Sequence, residues 1–131
     1  MKQLIVMLFV IGMCNNVIAY NRIPDKYVEA LVRVESRGNH RAIGDHGRAY
    51  GILQIHKGVI LDVNRWYGTH YRHVDAFDPV KARKICKMYA YKMLTYKHKK
   101  VTLWNVALCW NRNAVLHGRY AHRVRQELAY C

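Results

Sequence analysis

The sequence predicts a mainly α-helical protein built as one small domain, and three observations lead there. Apolar residues recur at helical spacing through most of the chain, while alternating β-branched runs are scarce. Helix starts are written at Pro24, at Asp78-Pro79 and at Thr102. One polar stretch, Asn39 to Tyr50 with Gly44 and Gly47, is the only long interruption in the first half.

The first nineteen residues read as a targeting signal. Lys2 gives a positive start, Leu4 to Met13 is an apolar run, and Val17-Ile18-Ala19 fits a small-residue cleavage site. A spanning helix needs about twenty apolar residues, and Asn15-Asn16 interrupts this run too early. The competing reading is an uncleaved membrane anchor. Met13 stands before Cys14 where a lipoprotein signal would place Gly or Ala, which disfavours lipidation. The expected mature domain is 20–131, periplasmic or secreted, with room for one modest core.

The helices follow in order. The first is expected to open at Pro24 and stop near Gly38. Val28, Leu31, Val32 and Glu35 fall on one face of it; Lys26, Ala30, Arg33 and Arg37 fall on the other. The polar stretch after it could form a short hairpin or an irregular wall. Gly51 to Trp66 reads as one or two short helices, and Gly68 to Phe77 as a loop. The Asp78-Pro79 start opens a helix to about Tyr96, with Ala82, Ile85, Met88, Tyr89, Met93 and Tyr96 as its buried stripe. Lys97 to Lys100 is a basic turn. Thr102 caps a helix expected to end near Asn113, on which Trp104, Ala107, Leu108 and Asn111 share a face. A last helix begins near Arg119 and carries Tyr120 and Val124.

Charge narrows the partners. The chain holds 22 Lys and Arg against 8 Asp and Glu, a formal +14; losing Lys2 leaves +13. On an exported domain this suggests a polyanionic surface such as a cell wall, with a plain solvated surface as the alternative. A nucleic-acid partner is not expected, because no recognition motif is present. Cys86, Cys109 and Cys131 would permit one disulfide and leave one thiol; the pairing stays open. Their spacing matches no zinc site, the eight histidines form no metal motif, and neither metal nor cofactor is assigned.

Two polar residues, Glu35 and Asn111, interrupt two apolar stripes that must face the same core. A carboxyl on such a stripe is partly desolvated, so its pKa rises and it can donate a proton. A buried structural hydrogen bond would explain the same pattern.

Motif order adds specificity. Glu35-Ser36 is followed by Gly38-Asn39; then come Gly51-Ile52-Leu53-Gln54-Ile55, Ala107-Leu108-Cys109-Trp110-Asn111 and Tyr120-Ala121-His122-Arg123-Val124. In this order they resemble the lytic transglycosylase family of the lysozyme superfamily, over roughly Pro24 to Val124. The resemblance implies an α-rich (α+β) lysozyme-like fold with an active-site cleft. It implies cleavage of the MurNAc-β-1,4-GlcNAc bond of peptidoglycan with Glu35 as the single acid and base, leaving 1,6-anhydro ends.

The same resemblance assigns other positions. Ser36 fixes the backbone beside the acid, against the reading of an ordinary helix-end hydroxyl; Gly51 lets backbone approach the sugar; and Gln54 hydrogen-bonds in the cleft, against the reading of a surface amide. Trp110 stands where the family usually has a Tyr whose hydroxyl would bond the catalytic carboxyl; Trp offers only an N–H and a flat face. Asn111 matches the motif's Asn, with a structural role as the alternative, and Tyr120 matches its closing Tyr. Asp45 lies in the Gly44-to-Gly51 loop, where many relatives carry a Ser. It is a candidate second carboxylate able to activate water, against the plain reading of a turn Asp. Asp62 and Asp78 read as a helix-surface residue and a cap. Tyr67, Tyr71, Tyr89 and Tyr120 could line a sugar cleft or pack the core. The expected partner is the glycan strand, met by a monomer, with a secretion, pilus or conjugation apparatus, or a phage, as context. A non-catalytic cationic wall binder is the rival outside enzymology.

Overall fold

The structure, a computed structural model, describes residues 19–111 and 118–131. These residues form five α-helices and a small three-stranded sheet, the mainly α architecture expected. Helix α1 is Asp25–Ser36, with Pro24 as its N-cap and Asp25 in the first turn, where a negative charge favours the helix dipole. It ends two residues before the expected stop. Arg37 turns left-handed at φ 54 and Gly38 follows at φ 83. Val28, Leu31 and Val32 are buried as the periodicity requires. Ala30, expected on the solvent face, is also fully buried. Helix α1 runs through the middle of the domain and meets three other helices, so more than one stripe is covered.

The polar stretch forms a short hairpin. Strand β1 is Ile43–Gly44 and β2 is Ala49–Tyr50, paired antiparallel with Ile43 opposite Tyr50. The turn between them, Asp45–Gly47, has left-handed φ at all three residues. Gly51 to Ile55 is not helical, contrary to expectation. It makes a tight turn into β3, Ile55–His56, which pairs with β2. The left-handed φ of Gly51 (75) and Gln54 (49) breaks any helix there. The run itself is buried, with Leu53 and Ile55 at zero exposure, and a short buried apolar run carries no period.

Helix α2, Lys57–Tyr67, ends at Gly68 in the left-handed conformation. The following loop is held by Asn64, whose side chain donates to Tyr71 O and accepts from Tyr71 N and Thr69 Oγ1. A 3-10 turn, His73–Phe77, lies within it. Helix α3, Pro79–Tyr96, starts as predicted, with Asp78 Oδ1 accepting from Val80 N and Lys81 N at 2.9 and 3.1 Å. Its stripe is buried except Tyr96, which is 84% exposed because the last turn runs past the core.

Helix α4, Leu103–Trp110, is capped by Thr102 Oγ1 as predicted. It stops at Trp110; Asn111 is its extended C-cap, and position 113 lies outside the described residues. The expected Trp104–Ala107–Leu108–Asn111 stripe is corrected. Val106, Ala107 and Cys109 are buried, while Trp104 is exposed and meets His122 edge-on. A helix of two turns has too few residues to choose its own face. Contacts with α3 and with α5, Arg119–Leu128, choose it. On α5, Ala121 and Val124 reach the core.

One hydrophobic core joins all five helices and the turn before β3. Each fully buried Leu, Ile or Val there contributes about 1.5–3 kcal/mol. A two-pronged Arg83–Glu29 ion pair ties α3 to α1 outside it. Cys86 and Cys109 are buried on α3 and α4, Cys131 is exposed, and no disulfide joins the three. Among the described residues no helix is long and apolar enough to cross a membrane.

Candidate active site

A cleft of about 630 Å³ opens between the helical body and the sheet. Glu35, Tyr89, Trp110 and Asn111 line it from α1, α3 and the end of α4. Asp45, Ala49, Gln54, His56, Gly58, Val59 and Asp62 line it from the hairpin, β3 and α2. This cleft therefore contains five of the eight sequence-predicted site residues. A sixth, Tyr120, reaches Glu35 from α5.

Glu35 lies in the last turn of α1, half-buried where the stripe of Val28, Leu31 and Val32 meets the cleft. Burial pushes its pKa above the ordinary value of 4.5; a hydrogen bond from Tyr120 and the positive charge of Arg123 oppose that rise without cancelling it. The Tyr120 hydroxyl donates to Glu35 Oε1 at 2.5 Å. Burial, and then the negative charge of Glu35, drive the Tyr120 pKa far up, so the phenol keeps its proton and remains a donor. The departure at Trp110 is thus answered in three dimensions. The hydroxyl on the acid comes from α5, and the indole does something else.

That other task is support. Trp110 Nε1 donates to Leu53 O at 3.2 Å, and the ring meets Tyr89 edge-on at 5.9 Å. Ser36 Oγ donates to Ile52 O at 2.8 Å and accepts from Gly38 N. One side chain from α1 and one from α4 therefore hold the same turn. Gln54 Nε2 donates to Gly51 O and Ala42 O, at 3.0 and 3.3 Å, closing the turn onto the hairpin.

Gly51 is corrected in its reason. It does not line the cleft: a Cβ there would sit 2.0 Å from Ala76 O, so close approach of the 3-10 turn demands the glycine. Gly44 is similar, since a Cβ would meet Gln54 Oε1 at 2.2 Å.

Asp45 faces the cleft but lives in water. Its Oδ1 accepts from Arg48 at 3.0 Å and its Oδ2 lies 3.3 Å from His56 Nε2. Asp62, read from sequence as a helix-surface residue, is also on the cleft, paired with Arg65 at 2.9 Å. His56, Gly58 and Val59 were not anticipated. The available signal was the spacing on α2: Val59 and Asp62 share a strip that flanks the core positions Ile60 and Val63. Of the tyrosines, Tyr89 lines the cleft, whereas Tyr67 bonds Met88 O and packs on the core. Among the described residues no group of three potential metal ligands occurs.

Residues 13–127 match the family model of the transglycosylase SLT domain, nearly the whole chain. The chain belongs to that family. Neither a curated protein nor a solved structure matches it. Membership makes this SLT domain one of a transglycosylase-type enzyme family whose substrate is peptidoglycan. Glu35, beside Ser36 at the end of α1, lies at the wall of the cleft.

Proposed function

We propose that this SLT domain is a peptidoglycan lytic transglycosylase that cuts the MurNAc-β-1,4-GlcNAc bond with Glu35 as its single acid and base. The observation that carries the reading is the desolvated Glu35 carboxyl on the cleft wall, hydrogen-bonded by Tyr120. A carboxyl with a raised pKa keeps a proton to give to the glycosidic oxygen as the bond breaks. The N-acetyl carbonyl of the sugar stabilises the cationic centre, so no carboxylate nucleophile is needed. The ionised Glu35, held by the Tyr120 hydroxyl, then takes the proton of the sugar's C6 hydroxyl. That oxygen closes the 1,6-anhydro ring, and the acid is restored.

Trp110, Gln54 and Asn111 shape the glycan-binding cleft, and Ser36 keeps the turn in register with the acid. The +14 charge suits a strand embedded among anionic wall polymers. In this reading the domain acts as an exported, periplasmic or secreted monomer. It opens the wall locally for a secretion, pilus or conjugation machine, or for a phage.

Turbidity clearing of purified peptidoglycan tests the reading. Glu35→Gln should abolish clearing by at least about 100-fold. Full clearing by that variant overturns the role of Glu35, and a wall binder without catalysis would show no clearing in either protein.

A second reading has its own observation. Asp45 and His56 share the cleft with Glu35, which favours some addition of water. Reducing ends in the digest, in place of anhydro ends, identify that outcome.

A further inference from the structure

His56 is a titratable group on the cleft that single-residue Glu35 chemistry does not use. It ends β3 and caps the start of α2. Strand alternation buries Ile55 and turns its neighbour His56 outward to the cleft. Its side chain is 49% exposed, and Nε2 lies 3.3 Å from Asp45 Oδ2. The other carboxylate oxygen, Oδ1, is taken by Arg48. Asp45 is thus occupied at both oxygens, which makes it a poor base for water. With Nε2 beside the carboxylate, Nδ1 is the ring nitrogen left to accept a proton. Among the described residues Nδ1 has no hydrogen-bond partner.

The two proton-handling groups stand on different walls. Glu35 comes from α1, His56 from the sheet side. Closure by the C6 hydroxyl takes place on the sugar face the leaving group has just vacated, beside Glu35. A base on the facing wall instead serves a water that attacks from the opposite side in place of the N-acetyl carbonyl, the arrangement of inverting glycosidases.

We propose that His56, oriented by Asp45, is the base that deprotonates an attacking water in this cleft, so that the domain releases reducing ends by hydrolysis alongside anhydro ends. The proposal rests on Glu35 as the acid. Glu35 protonates the glycosidic oxygen, and the bond from that oxygen to the anomeric carbon breaks. The water oxygen bonds to the anomeric carbon and its proton passes to His56 Nδ1. Solvent returns a proton to Glu35 and removes one from His56. The sum is one bond cleaved and one water consumed, with no oxidant or metal. Asp45 is a positioning residue and His56 a catalytic one.

The test digests purified peptidoglycan in isotopically labelled water and measures labelled reducing ends and anhydro ends by mass spectrometry. Wild type should yield both. H56Q should lower the ratio of reducing to anhydro ends about 100-fold, and D45N should lower it about 10-fold. Free imidazole added to H56A should restore reducing ends, a response that a merely structural histidine would not give. Wild type that yields anhydro ends alone, an unchanged product ratio in H56Q, or H56A that imidazole fails to rescue overturns the proposal. Failure of the Glu35 reading appears separately, as persistence of both products in Glu35→Gln.

Discussion

The two walls of the cleft carry the same functional group in opposite surroundings. Glu35 on the helical wall is half-buried at the end of an apolar stripe, with one phenol bonded to it, and its pKa is raised. Asp45 on the sheet wall is 42% exposed, sits in a turn of left-handed residues, and is paired with Arg48 and His56. A carboxyl in dry surroundings holds a proton to give. A carboxyl open to water, with both oxygens engaged by side chains, is suited to orienting its neighbours. The proposed division of labour between acid and positioning group rests on solvent access, which the side chain's identity does not reveal.

The sharpest way to break this contrast is Glu35→Gln. Beyond the loss of activity, it changes stability with a definite sign. A carboxyl whose folded pKa is raised stabilises the fold most while protonated, and that contribution is lost as pH climbs from the ordinary 4.5 through the raised value. The uncharged amide has no such slope. Thermal melts should find Glu35→Gln gaining on wild type as pH rises to neutrality, with the gap narrowing toward pH 4. A gap that is flat with pH would mean the carboxyl is not desolvated.

Gly51→Ala comes next and strikes the joint between the walls. Its Cβ would collide with Ala76 O in a backbone at φ 75. Urea unfolding should register a loss of about 2–4 kcal/mol from overpacking and backbone strain together. A loss under about 1 kcal/mol would show that the 3-10 turn can move aside.

Tyr120→Phe removes a hydrogen bond that lowers the Glu35 pKa, so that pKa should climb further. The pH–rate profile should shift to higher pH, with activity reduced about 10-fold at the wild-type optimum as the weaker acid slows proton donation to the glycosidic oxygen. A shift to lower pH contradicts the assigned donor. The smallest effect belongs to the wet wall. Asp45→Asn breaks only exposed ion pairs and should cost less than about 1 kcal/mol in the same urea experiment, whatever it does to products.

Much of this was legible before any coordinates. The stripe of Val28, Leu31, Val32 and Glu35 announced a desolvated acid because a helix repeats its faces every few residues. Asp78-Pro79 and Thr102 announced two helix starts because capping is a local bond between neighbours. Where information is not local, the sequence was silent or misleading. Ala30 is buried and Trp104 exposed according to which helices pack beside them. Ile52, Leu53 and Ile55 were too short a run to show a period, and the left-handed Gln54 beside them has no local signature. His56 and Asp62 become cleft residues only because β3 and α2 contribute to the same wall of the groove.

By itself the chain determined its helices, its caps and the presence of an acid out of place on an apolar face, since those depend on bonds and periods spanning a few residues. Tertiary structure alone decided that Tyr120, 85 positions away, would bond that acid, that Trp110 would instead brace the turn at Leu53, and that Asp45 would stay in water against His56. Those partnerships depend on how separate elements meet when the core closes, and no local rule of spacing encodes them.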